Sequence, residues 1–412
     1  MEDLEVPQYF ICPISLEIMK DPVTTISGIT YDRESIEQWF ETTTKELSTC
    51  PVTKQVLPRD TDLTPNHTLR RLIQAWCVVN AIHGVERIPT PRSPLCKSII
   101  NKLVRDLNVS NLYFVTLKKM EEFAKDNERN RAIMLDAGVV KAMVMLLMKF
   151  SKERITNGIS EVLKILHLVW SPTTENKQLV RENHDFIDSL VWVMRVHGFD
   201  KRGCEVSSNA MLVLKSVIEV ASTNLLERLK LDFFIQIVKI LRVGSTTTLH
   251  ALKAVLQILI EVSPWGRNRL KIIESRTVFD LIELELNHNP DTRTTELVFC
   301  LLAQLCSCAD GRAQLLEHGA GLAMVAKRTL RVSLGTDDRS IHILSLVAKF
   351  SASSEVLMEM LRVGAVSKLC MVLQADTTKF LKSKAREVLR LHSKVWNNSP
   401  CIAVYLMTRD PR

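Results

Sequence analysis

Through most of this chain, apolar side chains return every third or fourth residue. Leu112, Val115, Leu117, Met120 and Phe123 trace one such face. Val139, Met143, Leu146 and Leu147 trace a second, and Ile159, Val162, Leu163, Leu166 and Val169 a third. A period near 3.6 predicts amphipathic helix, and after Ser98 the pattern never gives way to strand alternation. The first 85 residues differ, because short apolar stretches there alternate with turn signals. Ser27-Gly28 predicts a hairpin turn. Ile36, Trp39 and Phe40 predict a helix with Asp32 as its N-cap. Leu69, Leu72, Ile73 and Trp76 predict a second helix, entered at Thr64-Pro65-Asn66 with Pro65 in its first turn.

Between the two regimes stands Ile88-Pro89-Thr90-Pro91-Arg92-Ser93-Pro94. Its three prolines remove amide donors and fix φ, which makes a semi-rigid connector. The chain therefore divides into a mixed head over 5–85, a proline-rich linker over 86–97 and an all-helical body over 98–412. The fold class is mainly α, a small α+β head before a helical solenoid.

The body repeats. Turns fall at Gly138, near His184, near Lys230, near Arg276, at Ala320 and at Ala365, with gaps of 46, 46, 46, 44 and 45 residues. The clearest copies are Asp136-Ala137-Gly138-Val139-Val140, His318-Gly319-Ala320-Gly321-Leu322 and Arg362-Val363-Gly364-Ala365-Val366. An all-helical period near 45 lies in the armadillo and HEAT range, and it predicts about six repeats. One three-helix unit of that length cannot bury its own apolar face, so copies stack. The alternative is an irregular bundle with coincidental spacing.

Composition narrows the function. Hydrophobic residues make up 46% of the 412 and charged residues 24%, which excludes wholesale disorder. The net charge of +8 is unevenly placed: residues 1–80 carry 7 basic and 12 acidic side chains, a net of −5, which leaves +13 on the rest. An acidic head on a basic body suggests two units facing different partners. No apolar run approaches the length of a membrane span, and Met1-Glu2-Asp3-Leu4-Glu5 opens no secretory signal. Ten cysteines without a single Cys-x-x-Cys read as reduced thiols, so the expected location is cytoplasmic, with the nucleus or peripheral membrane association as further options.

Hydrolase, phosphate-loop and dinucleotide signatures are absent. Cys306-x-Cys308, within the apolar stretch 297–308, has the wrong spacing to face one partner. Arg267-Asn268-Arg269 reads as a basic turn between repeats, either a solvated corner or a binding spot.

The head carries the sharper signal. In order come Cys12-Pro13-Ile14, Asp21-Pro22-Val23, Gly28-x-Thr30-Tyr31-Asp32-Arg33, Cys50-Pro51 and Leu63-Thr64-Pro65-Asn66. This series resembles the U-box of ubiquitin ligases, the zinc-free relative of the RING finger, over essentially the whole head. Cys12, Pro13, Asp21, Pro22, Gly28, Tyr31, Asp32 and Cys50 are the framework positions of the motif. A RING would need eight ligands, and the head offers only Cys12, Cys50, Cys77, His67 and His83. No metal and no cofactor is therefore expected. The stabilisation that zinc supplies elsewhere must come from the apolar core and from a polar network. Its candidates are Ser15, Glu17, Lys20, Asp32, Arg33, Glu34 and Thr53, whose pairing the sequence leaves open.

The resemblance implies a ligase without a nucleophile of its own, one that binds a ubiquitin-charged conjugating enzyme and orders it for attack by a substrate lysine. Ile14 in the first loop, Pro51 in the second and Trp39 on the helix between them are the implied groove, and Lys54 the implied basic contact to ubiquitin. Taken alone, Ile14 and Trp39 read as core; within the motif they read as interface. Cys12 and Cys50 read as small buried residues.

Head, linker and body together resemble plant U-box ligases with armadillo repeats. Cys12, Met19, Pro22 and Gly28 fit the CMPG-type subgroup, which acts in defence and stress signalling. The repeats would then hold the protein substrate on a concave face, and a homo-oligomer is left open. Two other readings compete. One is a non-catalytic armadillo adaptor, and the other is a basic solenoid for nucleic acid, which rests on charge alone.

Overall fold

The computed structural model describes residues 6–42, 48–57, 63–81, 95–109, 111–183, 185–199, 203–243, 249–288 and 290–408. The proline-rich run 88–94, His83 and the expected turn at His184 lie outside them. The chain forms two compact units, Met1–Pro94 and Leu95–Arg412.

In the head, β1 (Pro22–Thr24) and β2 (Thr30–Asp32) form a hairpin and α1 (Arg33–Thr42) follows at once. A second hairpin pairs β3 (Ser48–Thr49) with β4 (Val56–Leu57), and β5 (Thr64–Pro65) leads into α2 (His67–Val79). β1 is central in an antiparallel sheet of order β2-β1-β5, with Val23 opposite both Tyr31 and Pro65. Gly28 turns the first hairpin at φ +78°, a conformation that a side chain disfavours. Phe10, Met19, Val23, Tyr31, Ile36, Leu57 and Ile73 close one core together with Cys12, Cys50 and Cys77.

Three local expectations change. Pro65 lies in β5 rather than in the first turn of α2, because Asn66 caps that helix by accepting from Leu69 N at 3.0 Å. Asp32 does precede α1, but its carboxylate faces the first loop instead of capping. Leu72 leaves the buried stripe of α2, since only Ile73 and Cys77 are fully covered there.

The body opens with α3 (Lys97–Asp106) and α4 (Tyr113–Asp126). Six sets of three follow, each led by a helix of five to nine residues. They are α5 (Glu128–Asp136), α6 (Val139–Glu153) and α7 (Ile159–Val169); α8 (Thr174–Glu182), α9 (Asp185–His197) and α10 (Cys204–Ile218). Next come α11 (Thr223–Glu227), α12 (Leu231–Val243) and α13 (Leu249–Val262); α14 (Gly266–Glu274), α15 (Thr277–Asn287) and α16 (Thr292–Cys306). The last two are α17 (Ala309–Glu317), α18 (Gly321–Arg328) and α19 (Leu334–Phe350); α20 (Ser354–Arg362), α21 (Ala365–Gln374) and α22 (Lys379–Leu391). Short α23 (Ser393–Trp396) and α24 (Pro400–Thr408) close the chain. Helices α4, α7, α10, α13, α16, α19 and α22 stack each on the next, and α6, α9, α12, α15, α18, α21 and α24 form a second ladder. One continuous apolar core runs through the stack, as repeats with a single unburied face require.

A recurring device joins the short helices α5, α8, α14 and α17 to the end of the segment before each. The last carbonyls of a helix have no partner within it. Asn130 and Arg131 of α5 donate to the Phe123 and Ala124 carbonyls at the end of α4 (3.3 and 3.2 Å). Asn176 of α8 donates to Ser171 O (2.8 Å), and Asn268 and Arg269 of α14 donate to Val262 O and Ser263 O (3.3 and 3.0 Å). In α17, Gly311 takes the asparagine's place and Arg312 holds Cys306 O at 3.0 Å.

Arg267-Asn268-Arg269 is therefore helical and partly buried, neither a turn nor a solvated corner. Cys306 ends α16 and Cys308 caps α17, so these two free thiols do not share a helix.

Candidate functional site

The head presents two loops of one shape. Cys12 N donates to Glu17 O (2.8 Å) and Leu16 N to Cys12 O (2.9 Å), with Leu16 at φ +59°. Cys50 N donates to Gln55 O (2.8 Å) and Lys54 N to Cys50 O (2.9 Å), with Lys54 at φ +60°. The shared word is Cys-Pro-x-Ser/Thr-x-Glu/Gln, at 12–17 and again at 50–55. Proline presets φ after each cysteine, and the left-handed fifth residue closes the loop.

Both sulfurs are held from β2. Cys12 Sγ accepts the Asp32 amide at 3.3 Å. Cys50 Sγ accepts Ser27 Oγ and the Thr53 amide, each at 3.3 Å, and lies 3.0 Å from Tyr31 Oη. Burial alone pushes the Cys50 thiol up, but the hydrogen bonds from Ser27, Thr53 and Tyr31 outweigh it and bring it down to about 6. Cys12 is lowered in the same manner: burial raises it, and backbone amides of Ser15, Asp32 and Ile14 more than offset that. Tyr31 moves the other way, raised by burial and by the neighbouring Cys50. Both thiols are closed to solvent, so they serve as acceptors inside the frame and not as nucleophiles.

A carboxylate network locks the first loop to the sheet. Asp32 Oδ1 accepts the amides of Lys20 and Asp21, both at 2.8 Å. Asp21 Oδ2 meets Arg33 Nε at 2.6 Å, while Asp21 Oδ1 lies 4.0 Å from Arg70 on α2. Of the expected network, Ser15 and Glu17 stay within the first loop, Ser15 Oγ accepting the Glu17 amide at 3.4 Å and Ser15 also hydrogen-bonding Cys12. Arg70 was not singled out by the sequence pattern. Among the described residues no group of three or more His, Cys, Asp or Glu side chains is placed to hold a metal ion.

Around these loops the structure sets an apolar surface. Ile14 and Pro51 are half-buried, and Ile14 and Trp39 pack against the edge of the head core. Trp39 Nε1 donates to Thr49 O at 2.9 Å, which seats the indole beside the second loop. Pro13 and Lys54 are exposed. Two further apolar side chains stand at the loop tips: Leu16 is 76% exposed and Val52 51%. The loop repeat at 12–17 and 50–55 was the signal that points to both.

Comparison with known proteins follows the same division. Residues 6–82 match the U-box domain family, and residues 99–411 match the plant U-box protein ARM repeat region. The E3 ubiquitin-protein ligase PUB23 of Arabidopsis thaliana is 42% identical, covering 100% of this chain and 98% of that protein. PUB24, also named an E3 ubiquitin-protein ligase, is 40% identical over 99% of this chain and 96% of its own length. Among solved structures, an engineered protein superposes with a TM-score of 0.51 at 16% identity, over 74% of this chain and 71% of its own, a likeness of fold only. By sequence over its whole length, the chain belongs to the plant U-box proteins with an armadillo-repeat body, the family of these ubiquitin ligases.

Proposed function

We propose that the two Cys-Pro loops and α1 form the surface that receives a ubiquitin-charged conjugating enzyme. Ubiquitin-protein ligation by a U-box goes with the family; the proposal concerns which residues carry it and how. Ile14, Trp39 and Pro51 form the groove, Leu16 and Val52 extend it at the loop tips, and Lys54 contacts ubiquitin. The observation that carries this reading is the exposure of Leu16 and Val52 on loops pinned from within by the Cys12 and Cys50 sulfurs. Large apolar side chains held rigidly in water mark contact surfaces when they cluster.

The three head thiols are buried, so ubiquitin passes directly from the conjugating enzyme to a substrate lysine, and the ligase acts by positioning. The repeats hold the substrate, and we place the reaction in the cytoplasm, in defence or stress signalling. A reconstituted ubiquitination assay against a panel of conjugating enzymes tests the assignment. Ile14→Ala and Trp39→Ala proteins should keep their circular dichroism and lose self-ubiquitination. Full activity in both would remove the groove.

A further inference from the structure

Three hydrogens converge on the sulfur of Cys50. Ser27 Oγ, in the turn between β1 and β2, donates to it at 3.3 Å, with Thr25 Oγ1 behind that hydroxyl at 2.8 Å. The Thr53 amide of the second loop donates at 3.3 Å, and Tyr31 Oη on β2 lies 3.0 Å away. An amide can only donate, and the Ser27 hydroxyl is turned to do so. Among the described residues Tyr31 is therefore the neighbour left to take a hydrogen from the sulfur. Its oxygen already accepts the Val52 amide, which leaves the phenol hydrogen to point at Cys50. An S–H would displace that hydrogen and strand a buried donor. An anionic sulfur takes all three.

Burial pushes the Cys50 thiol up, yet the same two hydroxyls and the amide outweigh it and bring it down to about 6. A cysteine that merely filled space in the core would stay protonated. Tyr31, raised by burial and by Cys50, remains a neutral donor, and Cys12 beyond it is the other titratable group at this place. No carboxylate, histidine or cation is among the groups acting on Cys50. Lys54, the cation of its own loop, is exposed. Cys50 is also the root of that loop, since its amide donates to Gln55 O and its carbonyl accepts Lys54 N.

We infer that Cys50 is held as a thiolate and is the positioning residue of the second loop. The buried anion draws Ser27, Tyr31 and Thr53 together, and so sets Pro51, Val52 and Lys54 for the conjugating enzyme. The positioning role rests on the groove reading; the thiolate does not. The charge is present above its titration and lost below it, so capture of the conjugating enzyme weakens as pH falls through about 6.

The test has two arms on the full chain. In the first, thiolate ultraviolet absorbance is followed against pH. The parent should carry one thiolate more than Cys50→Ser at neutral pH, lost near pH 6, and Ser27→Ala should move that titration upward. In the second, affinity is measured over the same range for the uncharged conjugating enzyme that the panel selects. The parent should weaken below its titration, towards about tenfold per pH unit. Cys50→Ser should bind more weakly at neutral pH and without that fall. In Ser27→Ala the fall should begin at the higher pH where its thiolate is lost, a shift that a purely structural role would not produce. Ser27→Ala also keeps the test readable if Cys50→Ser does not fold. The inference is overturned if the parent shows no extra thiolate at neutral pH, or if its binding does not fall with the thiolate. It is also overturned if Ser27→Ala shifts the absorbance and not the binding. A thiolate that titrates as described in a chain that binds no conjugating enzyme at any pH would remove the groove, and the positioning role with it, while the anion stands.

Discussion

Tyr31 Oη lies 3.0 Å from the sulfur of Cys50, and both groups are closed to solvent. The next residue, Asp32, gives its amide to Cys12, so two consecutive positions of β2 hold both recognition loops. Where a metal would fix loops of this kind from inside, a phenol, two thiols and a carboxylate do so here. Removing the phenol oxygen should loosen the second loop first. For Tyr31→Phe, a cost of about 1–2 kcal/mol is expected, seen as faster amide exchange over residues 48–57 with the body unchanged.

The same frame predicts a head that is independent of zinc. Metal analysis of purified protein should find no stoichiometric zinc, and a chelator should leave the melting of the head where it was. One or two zinc ions per chain, or unfolding by chelator, would contradict the network as the source of its stability.

Much of this was readable in the chain. The Cys-Pro words placed both loops, and a 46-residue spacing placed the helices that begin at Val139, Leu231 and Thr277. Pairings across distance were not readable. Asp21 meets Arg33 twelve residues away and Arg70 from another helix, and nothing in local spacing distinguishes these from solvated charges. Pro65 misled because a proline before a helix suits either a first turn or an edge strand. The unpaired edge of β1 and the Asn66 cap decided it. The Asn-Arg pairs were visible at 130–131 and 268–269, but their purpose lies in carbonyls of the preceding helix that sequence does not display.

Asn268 shows that purpose most fully. Its amide donates to Leu226 O at 2.8 Å and Val262 O at 3.3 Å from a site closed to solvent. Asn268→Ala strands two buried carbonyls and should cost about 2–3 kcal/mol, measured by denaturant unfolding. Arg267→Ala, at the exposed neighbouring position, should change stability by less than about 0.5 kcal/mol.

Burial lowers His197 and His342, so the body favours the neutral form of these rings. A depressed pKa in the folded chain means that the unfolded chain takes up more protons as pH falls below the ordinary histidine value. Stability is therefore full above about pH 6.5 and declines on acidification. His197→Gln should flatten part of that decline. Asp280, Glu285 and Asp337, which burial pushes up, act in the opposite sense at lower pH, so the comparison with the variant is what reads the histidine.

The central claim is that a metal-free pair of loops activates a loaded ubiquitin carrier. Discharge of ubiquitin from a thioester-charged conjugating enzyme to free lysine, followed with chelator present throughout, tests it most directly. The full chain should accelerate discharge as well with chelator as without. Ile14→Ala should reduce the acceleration by about 10- to 150-fold, the equivalent of ~1.5–3 kcal/mol of lost apolar contact. Acceleration that disappears with chelator, or that survives Ile14→Ala undiminished, would contradict it.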